Sequence, residues 1–157
     1  MRRTSITAVA LALLAPGLVA PFLGSAPAVA GEREDTDWTE VYFETEDGTT
    51  LHADVLRPAG MPESARTPVV LTVSPYTSHS GGASAPDPTG APPSERFHDF
   101  LDLTGALDDG YTYVMVDLPG PGGSGGCNDW GGPAEQGAVH AAVEWAADQS
   151  WSTGKVA

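Results

Sequence analysis

The sequence predicts an α/β fold, with a mostly parallel sheet and an antiparallel hairpin at its N-terminal edge. Three observations predict this class: two alternating segments around the pair Asp47-Gly48, a continuous β-branched run over residues 69–73, and two helical periods that alternate with further strands. An Asp-Gly pair between alternating segments is a hairpin signal. Helices that alternate with apolar strands favour a parallel sheet covered on both faces.

The hairpin is predicted from two segments in which apolar and polar side chains alternate, residues 39–46 and residues 51–56. This period of two is typical of strands that bury one face. The loop between them can extend to Thr50. Residues 31–37 are charged and have no apolar period, so they predict a mobile, acidic lead-in before an ordered part that begins at Trp38. The predicted apolar face of the hairpin consists of Val41, Phe43, Thr45, Leu51, Ala53 and Val55.

The run over residues 69–73 predicts a strand that is covered on both faces, and it ends at Ser74-Pro75-Tyr76. Residues 77–94 are rich in Gly, Ser, Ala and Pro and have no period, so they predict a surface loop that acts as a lid or contacts a substrate domain. Apolar side chains at near-helical spacing over residues 96–109 predict a helix, with Gly110 as its C-terminal cap.

The glycine loop, which we define as residues 118–130, follows a second predicted strand over residues 111–117. A helix is then predicted from Pro133 to about Gln149, because proline suits a first helical turn and Glu135 interacts favourably with the helix dipole. The last residues of the chain predict a turn and the start of another strand. The predicted apolar stripe of the helix consists of Val139, Ala142, Val143 and Ala146.

The first 30 residues have the pattern of a secretory signal. Two arginines follow Met1, residues 8–14 form an apolar core, and Ala28-Val29-Ala30 forms a small-residue cleavage site. The apolar stretch is interrupted from Pro16 onward, well short of the roughly 20 residues that a membrane span needs, so a retained anchor is disfavoured. The sequence therefore predicts a secreted, extracellular protein whose mature chain begins near Gly31.

Acidic side chains dominate the mature part of the chain. Without the predicted signal, five basic residues stand against 21 acidic ones, a formal charge of −16. So acidic a surface repels nucleic acid and anionic lipid, and we expect neither as a partner. We interpret the charge as a solvated exterior and not as an acidic binding patch. The sequence does not indicate an oligomeric state.

Cys127 is the only cysteine, which excludes a disulfide within the chain. A single cysteine in a secreted protein indicates an external or missing partner, or a buried thiol. The histidines have no metal-like spacing, so neither a metal site nor a cofactor is expected. Each histidine is interpreted as a surface or boundary residue. The four histidines are His52, His79, His98 and His140.

The glycine loop matches two functional patterns that predict different proteins. A G-x-G-x-x-G pattern begins at Gly120, and a G-x-S-x-G pattern is centred on Ser124. A dinucleotide site needs its third glycine to open a helix directly, but residues 127–132 intervene. A nucleophile elbow needs its serine directly between strand and helix, but Ser124 lies seven residues beyond Asp117. The preferred interpretation is a permissive backbone that lets neighbouring segments approach closely.

Three further residues each have two interpretations. Asp117, at a strand end, can be an acid or base, but a carboxylate that organises the loop by accepting backbone N–H groups is the preferred interpretation. Trp130 and Trp151 are interpreted as packing residues and not as stacking platforms for a ligand.

Short motifs follow one another in a fixed order from residue 38 to residue 157. They are TEDGTTL at 45–51, ADVLRP at 53–58, SPY at 74–76, the strand at 110–117, the glycine run at 120–126, and EW at 144–145 with WSTGKV at 151–156. Each motif alone is a weak signal, whereas the ordered set is fairly specific. This order resembles the N-terminal part of the X-prolyl dipeptidyl-peptidase and cocaine-esterase-like (CocE/NonD) branch of the α/β-hydrolases.

The resemblance implies a partial α/β-hydrolase fold and a serine hydrolase that cleaves peptide or ester substrates through an acyl-serine intermediate. It implies that the strand begun at residues 155–157 leads within a few residues to the nucleophile elbow, so residues 38–157 end before the nucleophile Ser and the triad Asp and His. One functional position carries over: Tyr76, whose hydroxyl helps to form the oxyanion hole. Without nucleophile, acid and base, the fragment is expected to be inactive.

Two alternatives stay open beside this reading. A secreted, non-catalytic binding module would use residues 77–94 and the glycine loop as its contacts. A weaker enzyme hypothesis makes Ser124 the nucleophile of an intact chain.

Overall fold

The computed structural model describes residues 33–76, residue 93 and residues 97–157. The predicted signal over residues 1–30 and nearly all of the predicted loop over residues 77–94 lie outside the described residues. Within them, five strands form one sheet and two helices pack on it. The strands are β1 (Thr36–Glu44), β2 (Thr50–Pro58), β3 (Thr67–Ser74), β4 (Thr112–Asp117) and β5 (Ser152–Val156), and the helices are α1 (His98–Thr104) and α2 (Pro133–Asp148).

The sheet has the order β1-β2-β4-β3-β5. Strands β1 and β2 pair antiparallel, as do β2 and β4, whereas β3 pairs parallel with both β4 and β5. Helix α1 connects β3 to β4, and α2 connects β4 to β5, so each parallel pair has a helical crossover. The predicted α/β class, with a parallel core and an antiparallel hairpin, is confirmed.

The hairpin turns through residues 45–49, as the Asp47-Gly48 pair predicts. The Thr45 N–H donates to the Thr49 carbonyl at 2.9 Å, and Gly48 has a φ of 84°. The Asp47 carboxylate accepts hydrogen bonds from the Thr45 hydroxyl and from the Thr49 N–H. These bonds lower the pKa of Asp47, and the bond from Thr45 has the larger effect. The loop is thus organised by its own side chains, and register places Glu44 opposite Thr50.

Strand β1 begins earlier than predicted. Thr36 and Asp37 already pair with β2, so the prediction of a mobile lead-in over residues 31–37 is wrong for these two residues. Arg33 explains why the segment is ordered. Its guanidinium donates to Asp35 at 2.6 Å and to Asp102 at 2.8 Å, which ties the segment before β1 to α1 and raises the pKa of the arginine.

Helix α1 is shorter than the predicted helix over residues 96–109. Gly105 adopts a left-handed conformation, with a φ of 63°, and its N–H donates to Leu101 O at 3.0 Å. This glycine ends the helix five residues before the predicted cap at Gly110, because a left-handed residue cannot continue a right-handed helix. Leu107 lies in the turns that follow and still packs against the sheet.

Helix α2 has nearly the predicted bounds but buries a different stripe. Val139 and Val143 are 43% and 42% exposed, so the prediction that they pack on the sheet is wrong. The positions that do pack are spaced four apart and carry only a methyl group, which lets the helix approach the strands closely. The fully buried positions are Ala138, Ala142 and Ala146.

Two apolar clusters cover the two faces of the sheet. One contains the α2 alanines with residues of β2, β3 and β4 such as Leu51, Val69 and Val114. The other contains Leu101 of α1 with Tyr113 of β4 and Leu56 of β2. Strand β4, which lies between β2 and β3, is therefore buried along its whole length. Its last residue, Asp117, reaches the carboxyl edge of the sheet from inside the core.

Strand β3 was predicted to be covered on both faces, but only part of it is buried. Thr67 and Val69 are buried, but residues 70–74 are only half-buried. The physical reason is that β5 pairs with the first half of β3 only, through Thr67–Ser152 and Val69–Val156. In the part of the chain that the structure describes, no helix is both long and apolar enough to cross a membrane.

Candidate functional site

The carboxyl ends of β3 and β4 meet at one edge of the sheet. Ser74 is level with Asp117, and the Leu118 N–H donates to the Ser74 carbonyl at 3.1 Å. Tyr76 follows β3 by two residues, and the glycine loop follows β4 directly. The fold therefore brings Tyr76 and the glycine loop to the edge where open α/β sheets carry their ligand sites.

The glycine loop folds back onto the hairpin. The Gly120 N–H donates to Gly125 O at 3.0 Å, and the Gly125 N–H donates to Thr50 O at 2.8 Å. Gly120 has a φ of 102°, and a Cβ at this position would lie 2.8 Å from the backbone nitrogen of Asn128. The interpretation of the loop as a permissive backbone that allows close approach is consistent with these contacts.

Ser124 has a structural role in this loop. Its side chain is buried, its hydroxyl donates to the Asp117 carbonyl at 2.6 Å, and the same oxygen accepts the His52 backbone N–H at 2.9 Å. A nucleophile must reach a substrate and have a base at its hydroxyl, and Ser124 has neither. The G-x-S-x-G spacing is thus met without the strand–turn–helix geometry of an elbow.

His52 is fully buried, so the interpretation of this histidine as a surface or boundary residue is wrong. Its Nδ1 lies 2.8 Å from an Asp117 oxygen, and its Nε2 lies 3.1 Å from Glu40 Oε1. Because an ionised carboxylate only accepts hydrogen bonds, the arrangement needs a proton on both ring nitrogens or on one of the carboxyl groups. The three side chains form a polar chain from β1 across β2 to the end of β4, buried at His52 and Asp117 and partly exposed at Glu40.

Asp117 also accepts the backbone N–H of Gly123 at 3.2 Å. The preferred interpretation of Asp117, a carboxylate that organises the loop, agrees with this contact, but the histidine partner was missed. A usable signal exists in the sequence: His52 and Asp54 alternate with Leu51, Ala53 and Val55. In a central strand both faces are buried, so polar residues on the second face require polar partners.

Gly123 lies directly against the His52 ring. A Cβ at residue 123 would approach His52 Cγ to 2.7 Å, and the ring cannot swing away because both nitrogens are hydrogen-bonded. We expect Gly123→Ala to lower the free energy of unfolding by about 1–3 kcal/mol, as overpacking does. Urea unfolding followed by circular dichroism measures the loss.

Gly125→Ala is the matched control for that substitution. It adds the same methyl group to the same loop, but its nearest neighbour is Thr50 O at 3.5 Å, an ordinary contact. We expect a change below about 0.5 kcal/mol for this variant. Equal losses in the two variants would show that the His52 contact is not what requires glycine.

A cleft of about 340 Å³ opens between Tyr76 and the outer side of the glycine loop. Tyr76 is 61% exposed and Trp130 is 92% exposed. The interpretation of Trp130 as a packing residue is therefore wrong. Trp151 does pack, since its ring meets that of Trp145 edge-on at 6.3 Å. The cleft is lined by Pro75, Tyr76, Gly120, Pro121, Asn128 and Trp130.

The segment before α2 is fixed by two carboxylates that bond in opposite directions. Asp129 accepts the N–H groups of Ala134 and Glu135, at 2.8 and 3.2 Å, and so satisfies the first turn of the helix. Glu135 reaches back and accepts the N–H groups of Asp129, Trp130 and Gly131, the last at 2.7 Å. The predicted role of Glu135 at the helix start thus extends to holding the loop.

The described residues contain no group of three His, Cys, Asp or Glu side chains that could hold a metal ion. Cys127 is exposed and has a free thiol, which leaves the prediction of an external partner for it open.

Three solved structures with a similar fold come from hydrolases and a peptidase. A CocE/NonD family hydrolase from Staphylococcus aureus has 22% identity and a TM-score of 0.54, and the match covers 77% of this chain and 22% of that one. An alpha-amino acid ester hydrolase has 25% identity and a TM-score of 0.51, covering 90% and 24%. An aminopeptidase from a marine sediment Thaumarchaeota archaeon has 20% identity and a TM-score of 0.56, covering 90% and 23%.

These likenesses show an α/β-hydrolase-like fold, and the chain spans less than a quarter of the length of each of these structures. A search of curated protein sequences found no match. The family model of the X-Pro dipeptidyl-peptidase (S15 family) matches residues 47–157, from the hairpin turn to the end of β5 and beyond it. Because this match covers well over half of the sequence, the chain belongs to the X-Pro dipeptidyl-peptidase (S15) family of hydrolases.

Proposed function

We propose that this chain is the N-terminal part of a secreted serine hydrolase of X-prolyl dipeptidyl-peptidase type, which cleaves peptide or ester bonds through an acyl-serine intermediate. In this proposal the Tyr76 hydroxyl donates to the oxyanion of the tetrahedral intermediate. The observation that carries the proposal is the position of Tyr76. Its exposed phenol lies at the carboxyl edge of the sheet, in a chain that belongs to the S15 family.

The strand order supports the role of Tyr76. Strand β5 runs parallel to β3, with Val156 level with Val69, and Ala157 O accepts the Leu71 N–H at 2.8 Å. A chain that continues β5 in this register runs along the second half of β3 toward Tyr76. A nucleophile at the end of such a continued strand would stand at the same edge as the phenol, which is the geometry that an oxyanion donor requires.

The hydrogen bonds of Ser124 support the proposal that residues 1–157 alone are inactive. The serine with nucleophile-like spacing is buried and has both its donor and an acceptor position occupied. His52 and Asp117 are close to it in the fold, but Ser124 Oγ accepts the His52 backbone N–H, while both ring nitrogens of His52 lie within hydrogen-bond distance of carboxylates. This serine, histidine and aspartate therefore do not form a catalytic triad.

A fluorophosphonate probe tests the proposal on the purified 157-residue chain. Such probes react with activated serines, so we expect no labelled peptide, and in particular no label on Ser124. A labelled Ser124 would overturn the proposal in favour of the intact-enzyme alternative. Mass spectrometry after trypsin digestion measures the label, and an authentic serine hydrolase in the same reaction is the control.

Reading the encoding DNA past codon 157 tests the family-level part. We expect a G-x-S-x-G between a strand and a helix, soon after the last residue of this chain. If none follows in any frame, the non-catalytic binding module becomes the better proposal. A further test is hydrolysis of an alanyl-prolyl anilide and of a simple aryl ester by the longer product, which separates peptidase from esterase.

A further inference from the structure

The ring of His52 lies between two carboxylates that come from different parts of the sheet. Its Nδ1 faces Asp117 at 2.8 Å and its Nε2 faces Glu40 at 3.1 Å, and the histidine is fully buried. A neutral imidazole has one N–H and one lone pair, so it can donate to only one of the two. The second contact needs a further proton, either on the ring or on a carboxyl group.

The other bonds of the two carboxylates favour the ring as the place of this proton. The Asp117 oxygen that faces the ring, Oδ2, also accepts the Gly123 N–H at 3.2 Å. In the same way, Oε1 of Glu40 also accepts the Tyr42 hydroxyl at 3.1 Å. An oxygen that accepts two donors is best suited to an ionised carboxylate, which only accepts. Both nitrogens of the ring then carry a proton.

Other titratable side chains on this face of the sheet are bonded elsewhere or lie further away. Asp54, two residues along β2, accepts the indole N–H of Trp38 at 2.7 Å, and the Tyr113 hydroxyl bonds that of Thr72 at 2.8 Å. The remaining titratable side chains that the structure describes there lie near the ends of β1 and on α1, and they are Arg33, Asp35, Glu44, His98 and Asp102.

We propose that His52 is an imidazolium at neutral pH and acts as a pH-dependent switch that joins the edge strand β1 to the glycine loop. With two ring protons it bonds Glu40 on β1 and Asp117 at the start of the loop, and with one it bonds only one of them. The Asp117 side chain is 4% exposed and keeps its bond, whereas that of Glu40, at 18%, can turn toward water. Loss of the proton therefore releases β1.

The glycine loop has further contacts that do not use the ring. Ser124 Oγ accepts the His52 backbone N–H at 2.9 Å, and the Gly125 N–H donates to Thr50 O at 2.8 Å. These bonds do not change when the ring loses a proton. The loop is thus expected to stay in place while the contact between β1 and the ring is lost.

The switch makes the fold more stable in acid than in alkali. In an unfolded chain an imidazole loses its proton near about pH 6.5. The two carboxylates keep the proton on the folded ring to a higher pH. Their contribution to stability is therefore fully present below about pH 6.5 and is lost as the pH rises through the titration of the folded ring.

Nitrogen NMR of the 157-residue chain tests the protonation directly. Long-range ¹H–¹⁵N spectra distinguish an imidazolium from either neutral tautomer, and substituting each of the other three histidines by glutamine assigns the four rings. We expect two protons on the His52 ring at pH 7, and loss of one at least about one pH unit above the titration of His140. This loss is expected to shift the signals of Tyr42 and to leave the Gly123 amide in place.

Glu40→Gln separates the switch from the fold, because an amide can donate to a neutral ring as well as accept from a charged one. We expect His52 in this variant to lose its second proton at least about one pH unit lower than in the unsubstituted chain. The midpoint of thermal unfolding is expected to fall less between pH 6.5 and pH 9 in the variant.

Glu144→Gln is the matched control. It removes the carboxylate of the exposed pair with His140, whose side chains are 75% and 66% exposed. Because solvent screens such pairs, we expect the titration of His140 to move by less than about 0.3 pH unit.

Three results would overturn the switch. They are a single proton on the His52 ring at pH 7, the same titration of His52 with and without Glu40→Gln, and a larger shift of the Gly123 amide than of Tyr42 when the ring loses its proton. The last result would mean that the glycine loop is released instead of β1. None of these measurements requires catalysis, so the switch and the proposed function can fail separately.

Discussion

Replacing His52 with leucine is expected to lower the free energy of unfolding by about 3–5 kcal/mol, or to abolish the cooperative transition. Leucine fills a similar volume but leaves two carboxylates without their shared partner. The Asp117 side chain is only 4% exposed and that of Glu40 only 18%, so neither is well solvated in place of the histidine. An unpaired buried charge costs far more than the lost hydrogen bonds themselves. Urea unfolding of the 157-residue chain measures the change.

His140→Leu is the matched control, since His140 also contacts a carboxylate. Its Nδ1 lies 3.2 Å from Glu144 on α2, but both side chains are largely exposed, at 75% and 66%. We expect a change below about 0.5 kcal/mol there, as for other exposed pairs. A loss below about 1 kcal/mol in His52→Leu would contradict the assignment of His52 to a buried polar chain.

A double variant tests whether the unpaired buried carboxylate causes the loss of stability in His52→Leu. His52→Leu with Asp117→Asn removes the buried charge together with the ring, so we expect it to be less destabilised than the sum of the single variants by about 1–3 kcal/mol. Additive losses would mean that the two side chains contribute independently.

Replacing Tyr76 with phenylalanine is expected to lower kcat/KM of the proposed longer hydrolase by about 10²–10³, with a much smaller change in KM. The substitution keeps the ring and removes only the hydroxyl proposed to donate to the oxyanion. That donation exists in the transition state and not in the bound substrate, so the loss falls on kcat. Steady-state hydrolysis of an alanyl-prolyl anilide and of an aryl ester measures it.

Tyr111→Phe is the control for Tyr76→Phe. Tyr111 is also partly exposed, at 36%, but it precedes β4 and so lies at the opposite end of that strand from the candidate site. Its substitution is expected to leave kcat/KM unchanged. A loss of less than about threefold in Tyr76→Phe would remove Tyr76 from the oxyanion hole while leaving the family assignment intact.

Local patterns were sufficient to predict most of the fold. The Asp47-Gly48 turn, the apolar run at β3 and the proline at the start of α2 each act through nearby residues, and the structure confirms all three elements. Where two local signals competed, the prediction failed. Gly105 and Gly110 both suit a helix end, and only the backbone shows that the first of them is left-handed there.

The candidate site was predictable only in part, because its polar contacts are not local. The glycine loop could be located from a strand end, whereas Tyr76 was singled out by the family resemblance. The partners of His52 lie on two other strands, and the exposure of Trp130 depends on how Glu135 reaches back across the helix start. In α2 the prediction placed the valines on the sheet because they are more hydrophobic than the alanines. The alanines face the sheet instead, since close approach of the helix requires small side chains.

The contact between Ser124 and His52 also has a consequence for the order of folding. The two residues are 72 positions apart, and the contact of His52 with Asp117 spans 65 positions. Closing such long segments is entropically costly, so we expect these contacts to form only after β2 and β4 have paired. The glycine loop is therefore expected to acquire its shape late, and Pro121 and Trp130 to complete their cleft only on a sheet that is already assembled.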